Sequence, residues 1–176
     1  MATNIEIKAR VRELERLRRR IEQMSETREA VINQEDVFFN SPGGRLKLRV
    51  ISRCEGQLIY YERGDACEPR PSDYFIFDTS DPDSLIEVLG KSLGIRGIVR
   101  KRRSLYSIGN VRIHLDEVEG LGAFVELEVV LDPGQSREDG VAVATRMMED
   151  MGIDESDLVA GAYIDLLEAR RLPLST

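Results

Sequence analysis

The sequence predicts an α+β fold in which eight strands, antiparallel wherever short turns join them, form a sheet with helices packed on its apolar side. Two patterns carry that expectation. Charged and apolar residues alternate along most of the extended segments, the period of a strand whose two faces meet different surroundings. Between the groups of strands, apolar residues recur at three-and-four spacing, the stripe of a surface helix. The chain has 176 residues, 41% hydrophobic and 32% charged, which suits one globular domain spanning residues 1–176.

The elements follow in order. Asn4 to Val11 alternates polar and apolar side chains and is read as the first strand. Leu14, Leu17, Ile21 and Met24 then mark an amphipathic helix from about Arg12 to Glu26, with the arginine-rich run from Arg16 to Arg20 as its solvated face. Three strands, Ile32 to Phe39, Arg45 to Ile51 and Gln57 to Arg63, are separated by Asn40-Ser41-Pro42-Gly43-Gly44 and Cys54-Glu55-Gly56, both with turn chemistry. Gly64 to Ser72, with Pro69 and Pro71, reads as a loop leading into a strand near Asp73 to Asp78. Asp81-Pro82 opens a second helix with Leu85, Leu89 and Leu93 on one face, and Gly94 ends it. Three more strands, Ile98 to Ser107, Asn110 to Val118 and Ala123 to Leu131, bend at Gly109 and at Gly120-Leu121-Gly122. A third helix follows Ser136, carrying Val141, Ala144, Met148 and Met151, and a fourth runs from about Asp157 to Arg171.

Composition excludes several classes of function. No apolar run approaches the roughly 20 residues needed to span a bilayer, and the first residues lack the basic leader and apolar segment of a secretory signal, so no membrane partner and a cytoplasmic location are expected. Cys54 and Cys67, in no Cys-x-x-Cys spacing, are read as free thiols, and His114 is the sole histidine, too few soft ligands for structural zinc. A net charge of −7 argues against broad nucleic-acid binding, which needs an extended positive surface. Any anion-binding site must be local.

Such a site is suggested by the charged strand faces. Glu6, Lys8 and Arg10 share one face, as do Lys47 and Arg49, Lys101 and Arg103, Arg112, His114 and Asp116, and Glu126 and Glu128. Their neighbours Ile5, Ile7, Leu46, Leu48, Ile113, Leu115, Val125, Leu127 and Val129 form the apolar faces. Any one such strand is explained by a polar face turned to water. Taken together, cations on several strands and carboxylates on others favour a sheet curled into a barrel with its helices outside, its charges pointing inward and needing a compensating ligand. Arginine forks and lysines suit phosphate oxygens, and carboxylates suit Mg²⁺ or Mn²⁺. That is the equipment for holding a polyphosphate between bases and a metal, without a P-loop and without a nucleophilic side chain.

The chain also resembles a known family, the CYTH proteins or triphosphate tunnel metalloenzymes, which include class IV adenylyl cyclases, thiamine triphosphatases and inorganic triphosphatases. The resemblance covers nearly the whole chain. It rests on Ile5-Glu6-Ile7-Lys8, Gln34-Glu35-Asp36-Val37-Phe38-Phe39, Gly44-Arg45-Leu46-Lys47-Leu48-Arg49, Val99-Arg100-Lys101-Arg102-Arg103, Arg112-Ile113-His114-Leu115-Asp116, Phe124-Val125-Glu126-Leu127-Glu128 and Ala162-Tyr163-Ile164-Asp165-Leu166-Leu167. The last of these is most like the class IV cyclase branch. The resemblance implies an eight-stranded antiparallel tunnel with helices outside. It implies metal bound by Glu6, Glu126 and Glu128, with Asp116 a weaker candidate, and a triphosphate held by Lys8, Lys47, Arg49, Lys101, Arg103 and Arg112, with Arg10 and Arg63 as further candidates. The first acid of the family's Glu-x-Glu-x-Lys signature is replaced by Asn4, which offers a carbonyl oxygen but no charge, so weaker metal binding or fewer ions are expected.

Three activities remain open on this reading. The leading one is hydrolysis of a triphosphate, inorganic triphosphate, ATP or thiamine triphosphate, with Glu6, Glu126 or Glu128 helping to position the attacking water. The second is cyclase chemistry on ATP, releasing cyclic AMP and pyrophosphate. The third is a polyphosphate or nucleotide binder that has lost turnover, motivated by Asn4. A homodimer is compatible with all three. His114 is expected to be a polar residue of its strand face, and Tyr60, Tyr61 and Tyr163 to be packing residues.

Overall fold

The computed structural model describes residues 2–25, 27, 29–64 and 69–171. The strands are β1 (Ala2–Arg10), β2 (Ala30–Phe39), β3 (Arg45–Ser52), β4 (Glu55–Arg63), β5 (Arg70–Thr79), β6 (Ile95–Ile108), β7 (Val111–Val118) and β8 (Gly122–Val130). The helices are α1 (Leu14–Met24), α2 (Pro82–Leu93), α3 (Arg137–Met151) and α4 (Tyr163–Arg171). The strands close a barrel in the order β1-β5-β4-β3-β2-β6-β7-β8, and every pairing is antiparallel. Closure removes the free edges that an open sheet of this size would present. No helix among the described residues is long and apolar enough to cross a membrane.

The apolar strand faces turn outward and are covered by helices. Ile5, Ile7, Ile113, Leu115, Leu127 and Val129 pack beneath Ile21 of α1 and Ala144, Met147, Met148 and Met151 of α3. On the other side Val37, Phe39 and Leu48 meet Leu85, Ile86 and Leu89 of α2. A third cluster lies at the lumen instead, where Phe38, Val99 and Phe124 of the barrel meet Ala162, Tyr163 and Ile164 at the start of α4. The helix ends are capped as their residues predict: Asp81 accepts from the Ser84 amide at 3.1 Å, and Ser136 and Asp139 form a reciprocal capping box.

α3 lies against β1 and β8 because Gly140 has no side chain. A Cβ there would stand 2.5 Å from Leu131 Cδ2 and 2.7 Å from Ile5 Cγ1. Gly140→Ala is therefore expected to lower stability, because an overpacking penalty of about 1–3 kcal/mol outweighs the roughly 1 kcal/mol gained in helix propensity. A lower midpoint of denaturant unfolding checks it. Gly44, at a φ of +59°, ends the β2–β3 turn where a Cβ would meet the Tyr61 carbonyl oxygen at 2.8 Å.

Three expectations change. The fourth helix begins at Tyr163, not Asp157, because the preceding segment is extended: Leu158 bridges Ala9 and the Val159 amide donates to the Lys8 carbonyl at 2.8 Å. Only Glu155–Asp157 make a short 3₁₀ turn. Residues 65–68 of the expected Gly64 to Ser72 loop lie outside the described residues, and from Arg70 the backbone already belongs to β5, with Pro71 near the strand start, where a missing amide disturbs the ladder least. Arg18 is not part of a solvated face; its side chain is 13% exposed and binds Glu29 and Ser104.

Candidate active site

Inside the barrel, the alternation that sends apolar residues outward sends the charged ones in. A cavity of about 190 Å³ is lined by Asn4, Glu6 and Lys8 of β1, Asp36 and Phe38 of β2, Lys47 and Arg49 of β3, Val99, Lys101 and Arg103 of β6, Arg112 of β7, and Glu126 and Glu128 of β8. The remaining wall, from β4 and β5, is uncharged among the described side chains: Ile59, Tyr61, Ser72, Tyr74 and Ile76. Ala162 and Tyr163 close one end. Strand register sets Lys8 and His114 on either side of Glu126, and Glu6 and Arg112 on either side of Glu128.

The carboxylates divide into two kinds. Asp36 and Asp116 are saturated by cations. Asp36 accepts from Lys47 Nζ at 2.8 Å, Arg49 Nε at 3.1 Å and Gln34 Nε2 at 3.1 Å. Asp116, fully buried, takes Lys101 Nζ at 3.1 Å, Arg103 Nε and Nη2 each at 2.6 Å, and the Tyr163 hydroxyl at 2.9 Å. These contacts hold basic side chains upright in the lumen before any ligand arrives. Burial works against charge on Asp36, but Lys47, Arg49 and Lys101 prevail and hold its carboxyl far below the usual range. Burial likewise opposes charge on Asp116, and Lys101 and Arg103 outweigh it, so that carboxyl too is held low. Burial also disfavours the Arg103 guanidinium, and Asp116 and Glu126 more than compensate. Burial, with Glu126 and Asp116 adding to it, drives the Tyr163 phenol well above its ordinary value, so it stays a donor.

The second kind faces the cavity. Glu126 stands 3.3 Å from Lys8 Nζ and 2.5 Å from Arg103 Nη2; burial would raise its carboxyl, but Lys8, Arg103 and Lys101 pull it well below its normal range. Glu128 lies 3.9 Å from Arg112 Nη1. His114 Nδ1 is 3.6 Å from Glu128 Oε1 and 4.0 Å from Glu126 Oε2. It is buried with no hydrogen-bond partner among the described residues. One ligand atom from each of His114, Glu126 and Glu128 can be chosen so that all lie within 4.8 Å of one another. Two carboxylates and an orphaned imidazole nitrogen are a donor set that fits a divalent cation. Glu6 faces Glu128 across the β1–β8 ladder, a juxtaposition of acids that such a cation would relieve.

The structure thus brings Glu6, Lys8, Lys47, Arg49, Lys101, Arg103, Arg112, Glu126 and Glu128 to one cavity. Arg10 is not with them: it is exposed, its guanidinium 5.0 Å above the Phe124 ring at the barrel's end. Asp116 lies within the cation cluster and outside the His114, Glu126 and Glu128 group. The Arg63 side chain and Cys67 lie outside what the structure describes, and Cys54 is an exposed free thiol. Asp36 joins the site without having been among the expected residues, and Tyr163, expected to be a packing residue, also places its ring 4.0 Å beneath Lys8 Nζ and 5.0 Å from Lys101 Nζ.

The CYTH domain family model matches residues 2–163. The chain belongs to the CYTH domain family. Among curated proteins, adenylate cyclase CyaB of Aeromonas hydrophila is 27% identical over 148 residues, 77% of this chain and 73% of that one. Among solved structures, the PH1012 protein of Pyrococcus horikoshii aligns with a TM-score of 0.79 at 28% identity, covering 93% of this CYTH chain and 98% of its own. A Hippeastrum putative adenylyl cyclase, described as having a dominant triphosphatase activity, shares the fold with a TM-score of 0.64 at 15% identity, covering 98% and 97% of the two chains.

Proposed function

We propose that this CYTH protein hydrolyses a triphosphate, inorganic or carried on a small organic group, in its charged tunnel with Mg²⁺ or Mn²⁺. The observation that supports this best is the opposition of two sets inside one cavity: Lys8, Lys47, Arg49, Lys101 and Arg103 against Glu6, Glu126 and Glu128. A divalent cation, when bound, neutralises charge on the phosphate oxygens and orients the attacking group. The chain's own residues do the rest. The lysines and arginines grip successive phosphate oxygens, their positions preset by Asp36, Asp116 and Glu126. Glu126, held ionised, or its neighbours Glu6 and Glu128, accept a hydrogen bond from the attacking water. The water oxygen bonds to the terminal phosphorus, the bridging oxygen leaves with the shorter phosphate chain, and the water's proton passes to solvent or the leaving phosphate.

The cavity's volume, about 190 Å³, is below the roughly 300–1,000 Å³ of sites that enclose drug-sized ligands. It suits the phosphate chain, and an attached organic group would lie outward along Ile59, Tyr61, Tyr74 and Ile76. A second reading, cyclisation of ATP by attack of the ribose 3′-hydroxyl on the α-phosphorus, is favoured by the name of the Aeromonas relative. Incubation with inorganic triphosphate, ATP or thiamine triphosphate, with Mg²⁺ or Mn²⁺, and chromatography of the products separates them. Orthophosphate supports hydrolysis, cyclic AMP with pyrophosphate supports cyclisation, and no metal-dependent consumption overturns both and leaves a binding protein.

Affinity should also depend on pH through Lys47. Burial lowers its ammonium to about 8, with Arg49 and Lys101 adding to the shift and Asp36 opposing it. A polyanion favours the ammonium, so above that pH binding must take up a proton, and affinity falls by up to about tenfold per pH unit. Below about pH 7 Lys47 is already charged and contributes no slope. In Lys47→Arg the charge persists at all these pH values, so calorimetric titration of inorganic triphosphate should show the alkaline fall reduced relative to the unsubstituted protein.

A further inference from the structure

Given the cation site proposed above, we propose that His114 Nδ1 is a direct ligand of the bound cation, and that this imidazole biases the site toward first-row transition-metal dications over Mg²⁺.

Three observations converge on it. His114 has a relative exposure of 5%, and Nδ1 has no hydrogen-bond partner among the described residues; a buried ring nitrogen without one needs an explanation. It points at the two carboxylates, 3.6 Å from Glu128 Oε1 and 4.0 Å from Glu126 Oε2, beyond the reach of a hydrogen bond yet within the spacing of atoms that share one ion. The arrangement is also rigid. β7 and β8 pair His114 with Glu126 and Arg112 with Glu128, while Ile113 and Leu115 on the opposite face are locked in the core. A one-residue slip of β7 would bury Arg112 and His114 among aliphatic side chains, so the imidazole is held on the lumen side.

The chemical consequence follows from ligand type. Mg²⁺ prefers oxygen donors in a near-ideal octahedron and keeps its water, whereas imidazole nitrogen is a better ligand for first-row transition metals. A site of two carboxylates and one imidazole therefore favours Mn²⁺ and its heavier neighbours relative to an all-oxygen site of equal size. Asn4, which withholds one acidic charge, does not offset that preference.

Pulsed electron paramagnetic resonance of the protein with Mn²⁺, with and without inorganic triphosphate, tests this without measuring turnover. The expected result is a directly coordinated ¹⁴N signal in the unsubstituted protein, absent in His114→Gln. In competition, displacement of Mn²⁺ should need at least about tenfold more Mg²⁺ than in His114→Asp, whose site is all oxygen. Bound Mn²⁺ without a nitrogen coupling overturns the assignment of His114 and leaves the cation site standing. A coupling that persists in His114→Gln also overturns it. Absence of bound Mn²⁺ in both samples overturns the cation site itself.

Discussion

Glu126→Gln is expected to lower metal-dependent turnover by at least a factor of about 100, since loss of residues that merely support a metal ligand already costs about 10–100-fold. The substitution keeps the shape of the side chain and removes its charge. The charge is what the geometry uses: Glu126 faces Lys8 and Arg103 at once, and those cations, with Lys101, hold it ionised. Folding should survive, because Arg103 keeps both bonds to Asp116 and an amide still accepts from Lys8. Comparing turnover with the thermal midpoint of the same sample checks both halves. A variant that turns over normally removes Glu126 from the metal and water roles.

Asp116→Asn is expected to behave in the opposite way, losing stability by about 3–5 kcal/mol, the usual effect of removing one partner from a buried ion pair. Asp116 is 0% exposed and is the acceptor for Lys101, Arg103 and Tyr163 together. An asparagine there cannot neutralise two buried cations. Urea unfolding measures the loss, and a shift below about 1 kcal/mol would mean that water or Glu126 compensates those cations instead.

The contrast between these two acids shows how far the residues could be read in advance. Strands with strict alternation were legible: Ile5-Glu6-Ile7-Lys8 and Val125-Glu126-Leu127-Glu128 announce both a face for the helices and a face for the lumen. β2 is different. Gln34-Glu35-Asp36-Val37-Phe38-Phe39 has acids on both faces and apolar residues on both, so period alone could not tell that Asp36 turns inward beneath Lys47 and Glu35 outward to Arg100. Arg10 continued the alternation of Glu6 and Lys8, but the strand outruns the cavity and ends over Phe124. Tyr163 was hidden for another reason. It reaches Asp116 over 47 positions of chain, delivered by an extended segment and a turn at Gly161, whose φ is +76°, and local sequence carries no record of such a contact. Asp165 then anchors that turn by pairing with Arg45 and Arg96.

The lumen is expected to hold a polyphosphate together with a divalent cation. Titration calorimetry of inorganic triphosphate against orthophosphate, in Mn²⁺ and again in a chelator, measures that directly. Saturable binding of one triphosphate per chain, much tighter than orthophosphate and weakened by chelation, is the predicted result. No saturable binding, or equal affinity for both anions regardless of metal, would contradict it.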